Sequence, residues 1–231
     1  MPWYGWLIVA LIAPPIVLLG LTRLLRFLAP GPCPYQLAWL LDHPLRREQT
    51  RRILDRMGLE PGMRVLELGP GPGALTLDAA ERIGPQGRLH CLDVQPQMVA
   101  RVRERTRRGG VSNVSPCVAD GQALPLRDGC FDLAFLVSVL PEIPDQHRAL
   151  AELRRVLRPG GTLSITEQFP DPDYPLARTT IRRVEKAGFE LAERHGNWWC
   201  YTVNFQEPVT AAASPGQWPP AGDDEYGQSP G

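Results

Sequence analysis

Short apolar runs alternate with amphipathic segments through residues 61–207 of this chain of 231 residues. The apolar runs have the length of buried strands, and they occupy residues 64–68, 88–92, 114–118, 131–139 and 162–167. Segments with helical periodicity fill the gaps, at residues 73–83, 96–107, 145–157 and 176–187. This alternation predicts an α/β domain with a mostly parallel sheet and helices on both faces.

Two consecutive strand-like runs end the alternation, at residues 189–195 and 198–206. Gly196-Asn197 separates them, and this dipeptide is typical of a β-hairpin turn. We therefore expect the sheet to finish in an antiparallel hairpin.

An uncharged segment covers residues 1–22, and a helix over residues 3–22 would span about 30 Å, the thickness of a hydrocarbon core. Arg23 and Arg26 follow it, so the positive-inside rule places the remainder of the chain in the cytoplasm. We expect a single-pass transmembrane anchor over residues 1–26. Pro14-Pro15 removes two helix donors in mid-span, so a re-entrant or interfacial hairpin and a signal peptide remain alternatives.

The segments on either side of the alternating region differ from it in composition. Residues 27–60 combine a proline-rich stretch with an amphipathic pattern over residues 45–58, which predicts juxtamembrane and cap helices. Residues 208–231 are rich in proline and glycine and contain no basic residue, which predicts a disordered tail.

Charge and cysteine content exclude several classes of protein. Lys+Arg and Asp+Glu both number 25, so bulk positive charge for nucleic-acid binding is absent. A hydrophobic content of 43% excludes wholesale disorder. The five cysteines form no C-x-x-C pair, so we expect neither a disulfide scaffold nor a bound metal.

A glycine-rich turn follows the first predicted strand, in the sequence VLELGPGPGA over residues 65–74. Its glycines permit positive φ and close backbone approach, and the next helix would offer free N–H groups, so the turn suits a nucleotide-like ligand. The same residues satisfy the dinucleotide pattern G-x-G-x-x-A. On this motif alone, a nicotinamide cofactor remains an alternative.

Acidic residues near the strand ends narrow the choice of ligand. Asp93 ends the second strand, where a carboxylate can accept hydrogen bonds from ribose hydroxyls of either cofactor type. Glu67 precedes the first glycine by two residues, which disfavours a pyrophosphate and suits a cationic ligand. Asp120-Gly121 follows the third strand, where Asp120 could accept from an adenine amine or cap a turn.

Together with Phe131-Asp132-Leu133 and the Leu157–Gly161 segment, these motifs resemble those of the class I S-adenosylmethionine-dependent methyltransferases. The resemblance covers about residues 45–207 and is strongest to the branch similar to ubiquinone/menaquinone C-methyltransferases. It implies S-adenosyl-L-methionine as cofactor. It also implies a doubly wound sheet of seven strands in the order 3-2-1-4-5-7-6, with the last strand antiparallel.

The resemblance further implies where each part of the cofactor would bind. The methionine half would lie on the glycine-rich turn, the ribose on Asp93, the adenine beyond the second and third strands, and the sulfonium over the end of the fourth strand. The residues implied are Glu67, Gly69, Gly71, Gly73, Asp93, Val94, Met98, Asp120, Gly121, Val137 and Ser138. Met98 could equally be an ordinary core residue.

No residue is identified as the catalyst. Relatives often carry His-His where this chain has Pro141-Glu142, which leaves Glu142 and Glu167 as acceptor-side candidates. The connection after the fifth predicted strand is too short to cover the acceptor. We therefore expect residues 27–60 to cover it, through Tyr35 and Trp39.

We expect methyl transfer to a small, lipophilic acceptor at the cytoplasmic membrane face, either a quinone precursor or a lipid headgroup. The expected partners are this substrate and the membrane, without nucleic acid. Two alternatives remain: a membrane-anchored cofactor-binding sensor or scaffold without catalysis, and an NAD(P)-dependent reductase.

Overall fold

The computed structural model describes residues 47–209 without a break, together with isolated positions between residues 6 and 32. Helices and strands alternate through the continuous range, as the periodicity predicts. The strands are β1 (Arg64–Leu68), β2 (Arg88–Asp93), β3 (Val114–Val118), β4 (Phe131–Val137), β5 (Leu157–Gln168), β6 (Glu190–Gly196) and β7 (Cys200–Gln206). The helices are α1 (Arg47–Asp55), α2 (Thr76–Ile83), α3 (Pro96–Arg108), α4 (Gln146–Val156) and α5 (Ala177–Lys186), with a 3₁₀ turn at Leu140–Glu142.

All seven strands form one sheet in the order β3-β2-β1-β4-β5-β7-β6. The first five strands are mutually parallel, because each connection returns the chain to the same edge, through a helix in three cases and through the loop of residues 119–130 between β3 and β4. β7 is antiparallel to both β5 and β6, and the β6–β7 hairpin turns at Gly196-Asn197. The predicted strand order, the antiparallel last strand and the terminal hairpin are therefore confirmed.

Side chains that alternate along each strand feed two hydrophobic cores, one on each face of the sheet. Val65 of β1 packs with α1, α2 and α3, whereas Leu66 faces α4 and α5. The amphipathic segment before β1 joins the first core through Ile53, Leu54 and Met57, all buried. Because both faces are covered, the carboxyl edge of the sheet is where a ligand can approach the strands.

Two element boundaries differ from those that periodicity predicts. β5 begins at Leu157 rather than at residue 162, because Leu157 already pairs with Phe131 of β4, before an irregularity in the register that ends where Thr162 pairs with Leu133. α2 begins at Thr76 rather than at residue 73, because the intervening residues form turns that belong to the glycine-rich loop.

The transmembrane anchor predicted over residues 1–26, and the membrane location predicted from it, are wrong. Within the part of the chain that the structure describes, no helix combines the length and the apolar character needed to cross a bilayer. The longest helix there, α3, has 13 residues and would extend only about 20 Å. Most of residues 1–46, including Tyr35 and Trp39, lie outside the described residues, as do residues 210–231 of the predicted tail.

Candidate cofactor and acceptor site

The carboxyl ends of β1 and β4 meet at the point where the strand order of the sheet reverses. β1 pairs with β2 on one side and with β4 on the other, so the connections that follow β1 and β4 run over opposite faces. Such a point leaves a crevice above the strand ends, where ligands of open α/β sheets bind. The predicted site residues on β1, β2 and β4 all lie at or next to these ends.

The glycine-rich loop between β1 and α2 has a conformation that side chains would obstruct. Gly69 and Gly73 have φ values of 72° and 80°, in the left-handed region. A Cβ atom on Gly69 would lie 2.4 Å from Cγ2 of Val139, which follows β4. The glycines of the loop therefore present only backbone, and Gly69 packs directly against the segment after β4.

Asp93 connects the end of β2 to this loop. Its carboxylate accepts hydrogen bonds from the backbone N–H groups of Gly71, at 3.3 Å, and Gln95, at 2.9 Å. Burial raises the pKa of Asp93, and these two donors partly oppose the increase. A carboxylate offers about four lone-pair positions, so Asp93 retains capacity to accept further hydrogen bonds from a ligand.

Glu67 is 2% exposed and lies on the sheet face that packs against α2. Its Oε2 accepts hydrogen bonds from the Thr76 hydroxyl at 2.7 Å and from the Cys91 thiol at 3.3 Å. Burial raises the pKa of Glu67 to about 7, and the nearby Asp93 charge adds to the increase. Both donors are neutral, so a cation that approached the loop would favour the ionised form of Glu67.

The residues predicted to surround the adenine ring differ in exposure. Val94 is exposed, whereas Met98 is 1% exposed, as expected for a core residue. Asp120 accepts hydrogen bonds from the backbone and side chain of Gln122, which hold its pKa below the usual range. The carboxylate thus caps a turn and is still exposed to solvent. Gly121 is buried beside Leu68, with room for little more than its backbone.

The end of β4 contains an unusual backbone conformation. Ser138 has φ 56°, the only positive value for a non-glycine residue in the described part of the chain. Its N–H donates to the Thr166 carbonyl at 2.8 Å, which keeps the strained residue attached to β5. Strain of this kind costs of the order of 1–3 kcal/mol and is concentrated at functional sites. Val137 and Ser138 are half-buried at the edge of the crevice.

Two glutamates occupy the acceptor side, beyond the end of β4. Glu142 is half-buried in the 3₁₀ turn, only three residues after the valine that packs on the glycine-rich loop. Glu167, near the end of β5, is 1% exposed, and neither of its carboxyl oxygens has a hydrogen-bond partner among the described residues. Burial raises the pKa of Glu167 well above its usual value, and the Glu142 and Asp171 charges add to this.

Sequence reasoning did not predict an aromatic cluster beside Glu167. Phe169 lies with its ring centroid 4.9 Å from that of Trp199 and 6.0 Å from that of Trp198. Tyr174 packs edge-on against Phe169 and donates from its hydroxyl to the Trp198 carbonyl. The two tryptophans are 68% and 45% exposed, so they form an accessible aromatic surface. In the sequence, the only indication of this surface is that Trp198 and Trp199 are adjacent at the predicted hairpin turn.

A parallel sheet with a glycine-rich loop at its switch point and a carboxylate ending β2 defines the class of enzymes that bind nucleoside-containing cofactors. The family model described as "Methyltransferase domain" matches residues 59–201, and the chain belongs to this family.

Curated relatives support the same assignment. The chain is 35% identical over 140 residues to the ubiquinone/menaquinone biosynthesis C-methyltransferase of Shewanella piezotolerans, covering 60% of this chain and 55% of that protein. The corresponding protein of Shewanella oneidensis is 36% identical over the same length. The chain thus spans about half the length of these curated relatives.

Solved structures share the fold. A SAM-dependent methyltransferase from Aquifex aeolicus aligns with a TM-score of 0.72 and 25% identity, covering 78% of this chain and all of that one. The [4+2]-cyclase SpnF aligns with a TM-score of 0.64 and 22% identity, covering 71% of this chain and 81% of that one. The second likeness is evidence for the fold alone, since one fold supports different chemistries.

The chain therefore belongs to the class I S-adenosylmethionine-dependent methyltransferases. Neither an NAD(P)-dependent reductase nor a non-catalytic sensor is supported by these comparisons. The residues at the crevice fit a cationic nucleoside cofactor, because a loop with three positive-φ glycines, a carboxylate with free acceptor capacity and a buried glutamate with neutral partners lie together there.

Proposed function

We propose that this enzyme transfers a methyl group from S-adenosylmethionine to a ring carbon of a small, lipophilic quinone precursor. The observation that carries the proposal is the 35% identity to the ubiquinone/menaquinone C-methyltransferases over 140 residues. The aromatic surface formed by Phe169, Trp198 and Trp199 supports it, because planar apolar rings pack well against exposed aromatic side chains.

In this proposal the cofactor lies along the carboxyl ends of β1, β2 and β4. Asp93 accepts from the ribose hydroxyls while it holds the loop through Gly71. Glu67 would lie behind the loop, and the positive charge of the bound cofactor would favour its ionised form. The glycine-rich loop would hold the methionine half of the cofactor. The adenine would be bordered by Val94, Asp120 and Gly121, and Met98 would support these residues from the core. Val137 and Ser138 would lie below the methyl group.

Positioning accounts for most of the catalysis that this site needs. The cofactor supplies a methyl group on a cationic sulfur, whose departure leaves a neutral thioether. The protein's task is then to hold the acceptor carbon in line with the methyl group and to exclude water. Ser138 would hold the end of β4 beneath the methyl group, because the N–H of this strained residue donates a hydrogen bond to Thr166 of β5.

The proposal is tested with methyl-labelled S-adenosylmethionine and two sources of acceptor, a reduced prenylated naphthoquinone and a lipid extract of the host. We expect label on a ring carbon of the quinol, located by NMR, and loss of that signal in Asp93→Ala. Label found only on oxygen, on nitrogen or in a phospholipid headgroup would contradict ring-carbon transfer. The Glu190→Gln variant, an exposed carboxyl on β6, serves as the matched control.

A further inference from the structure

Glu167 is the one glutamate in the described range whose two carboxyl oxygens are both buried without a hydrogen-bond partner. Its neighbours along β5, Leu163 and Ile165, point to the same sheet face and belong to the core with α4 and α5. A buried polar group without a partner costs free energy, and native structures satisfy most such groups. Packing alone would therefore favour an apolar residue at this position.

The surroundings of Glu167 place it next to the end of β4, where the proposed function puts the methyl group. It pairs in register with Tyr201 of β7, while the preceding residue of β5 accepts the N–H of Ser138. Glu142 and Asp171, both half-buried, lie close enough to affect its pKa. The carboxyl is thus buried, and the charged groups nearest to it belong to the 3₁₀ turn and to the loop that follows β5.

We propose that Glu167 is the acceptor-side proton acceptor, which takes the hydroxyl proton of a phenol-like acceptor as its ring carbon is methylated. This inference rests on the proposed function and names the group that the sequence left unidentified. The two unpartnered oxygens supply the acceptor atoms, and the aromatic cluster of Phe169, Trp198 and Trp199, which starts two residues after Glu167, supplies a surface for the ring.

The step balances as follows. The ionised Glu167 carboxylate takes the proton of the acceptor hydroxyl, and the electron pair of that O–H bond moves into the ring. The ring carbon forms a bond to the methyl group, whose bond to sulfur breaks with its electron pair remaining on sulfur. The ring carbon then loses its own hydrogen as a proton to water, and the electron pair of that C–H bond restores the aromatic ring. The protonated Glu167 returns its proton to the oxygen, so the carboxylate is regenerated and one proton is released in total.

The ionisation of Glu167 is controlled by groups from every element around it. Glu142 of the 3₁₀ turn and Asp171 and Asp173 of the following loop disfavour its charge, whereas Arg183 of α5 favours it. Tyr174 and Tyr201 lie beside it and are themselves affected by its charge. Since a raised pKa moves a base toward the working pH, catalysis by the carboxylate should increase as the pH rises.

Three glutamate variants test the assignment, with the methyl acceptor being the reduced prenylated naphthoquinone. We expect Glu167→Gln to lower kcat by about 100-fold while the KM for the quinol and the Kd for S-adenosylmethionine stay near wild type. The acid limb of the pH–rate profile, present in the wild type and in Glu190→Gln, should disappear in Glu167→Gln. An unchanged limb in Glu167→Gln, or its loss in Glu142→Gln instead, would overturn the proposal.

A stability measurement separates this role from a structural one. Replacing an unpartnered buried carboxyl by an apolar side chain of similar size should raise Tm, so Glu167→Met should be more stable and less active. A variant that loses both stability and activity would refute the proposal in favour of a structural role.

Failure of the proposed function gives a different result. If the wild type does not methylate the quinol, the same pH profiles are measured on the labelled product of the host lipid extract. A limb that still depends on Glu167 would support its proton-accepting role with another hydroxyl acceptor. A limb that does not depend on it would refute that role.

Discussion

Glu67 allows the electrostatics of the glycine-rich loop to be measured directly. Burial raises the pKa of its carboxyl from 4.5 to about 7, so the folded protein retains a proton there that the unfolded chain has already released. The free energy of unfolding must then fall as the pH rises through that window. A difference of one pKa unit corresponds to about 1.4 kcal/mol, so the loss due to Glu67 approaches about 3 kcal/mol.

The Glu67→Gln variant removes this titration while its amide oxygen can still accept the Thr76 hydroxyl bond. Urea unfolding of both proteins across the pH range therefore gives a difference that increases with pH. We expect the variant to gain about 3 kcal/mol of stability relative to wild type between acidic and mildly alkaline pH. Glu190→Gln, at an exposed position, should show no such trend. A difference that does not change with pH would refute a buried, titrating Glu67.

Ligand binding provides the second part of this test. If the sulfonium favours the ionised form of Glu67, Glu67→Gln should weaken binding of S-adenosylmethionine more than that of S-adenosylhomocysteine, whose sulfur is neutral. Calorimetry in buffers of different ionisation enthalpy should also detect proton release when the cationic cofactor binds near neutral pH. Equal losses for both ligands would show that the Glu67 charge does not act on the sulfonium.

Two further substitutions test the loop and its anchor. Asp93→Ala removes charge-assisted hydrogen bonds of about 1.5–3 kcal/mol each, so calorimetry should show at least about 100-fold weaker cofactor binding, and wild-type affinity would contradict the ribose assignment. Gly69→Ala should reduce the free energy of unfolding by about 2 kcal/mol more than Gly58→Ala in urea titrations. Both glycines have positive φ, but only a Cβ on Gly69 meets Val139, so equal losses would argue against that contact.

Much of the fold could be predicted because the sheet is covered on both faces. Buried strands such as β1 and β4 appear as mostly apolar runs, and the helices between the strands keep a clear amphipathic period. The strand order came from the resemblance of the motifs, since periodicity does not specify which strands are neighbours. The start of β5 is not predicted because Arg158-Pro159-Gly160 looks like a loop. In the structure the N–H of Gly160 donates to the carbonyl of Glu207, the residue after β7, and this hydrogen bond holds the segment against the sheet.

The acceptor side was less predictable because tertiary contacts create it. Phe169 and Trp199 are distant in sequence, and they meet only because Gln168 of β5 pairs in register with Cys200 of β7. The positive φ of Ser138 could not be read from the sequence either, since serine rarely adopts it. Sequence reasoning did select Glu167 as an acceptor-side candidate, but its complete burial is a property of the packed structure.

The two buried glutamates lie on opposite faces of the sheet, and this separation gives each a different environment. Glu67 shares its face with α2 and has two donors, so its pKa rises only to about 7. Glu167 shares its face with α4 and α5 and has none, and burial raises its pKa well above the usual value. When two acids in one site have different environments, their pKa values differ and they can have different roles in the reaction. Under the proposed function, the ionisation of Glu67 responds to the cationic cofactor, whereas that of Glu167 responds to the acceptor hydroxyl, and the two variants should therefore alter different parts of the pH profile.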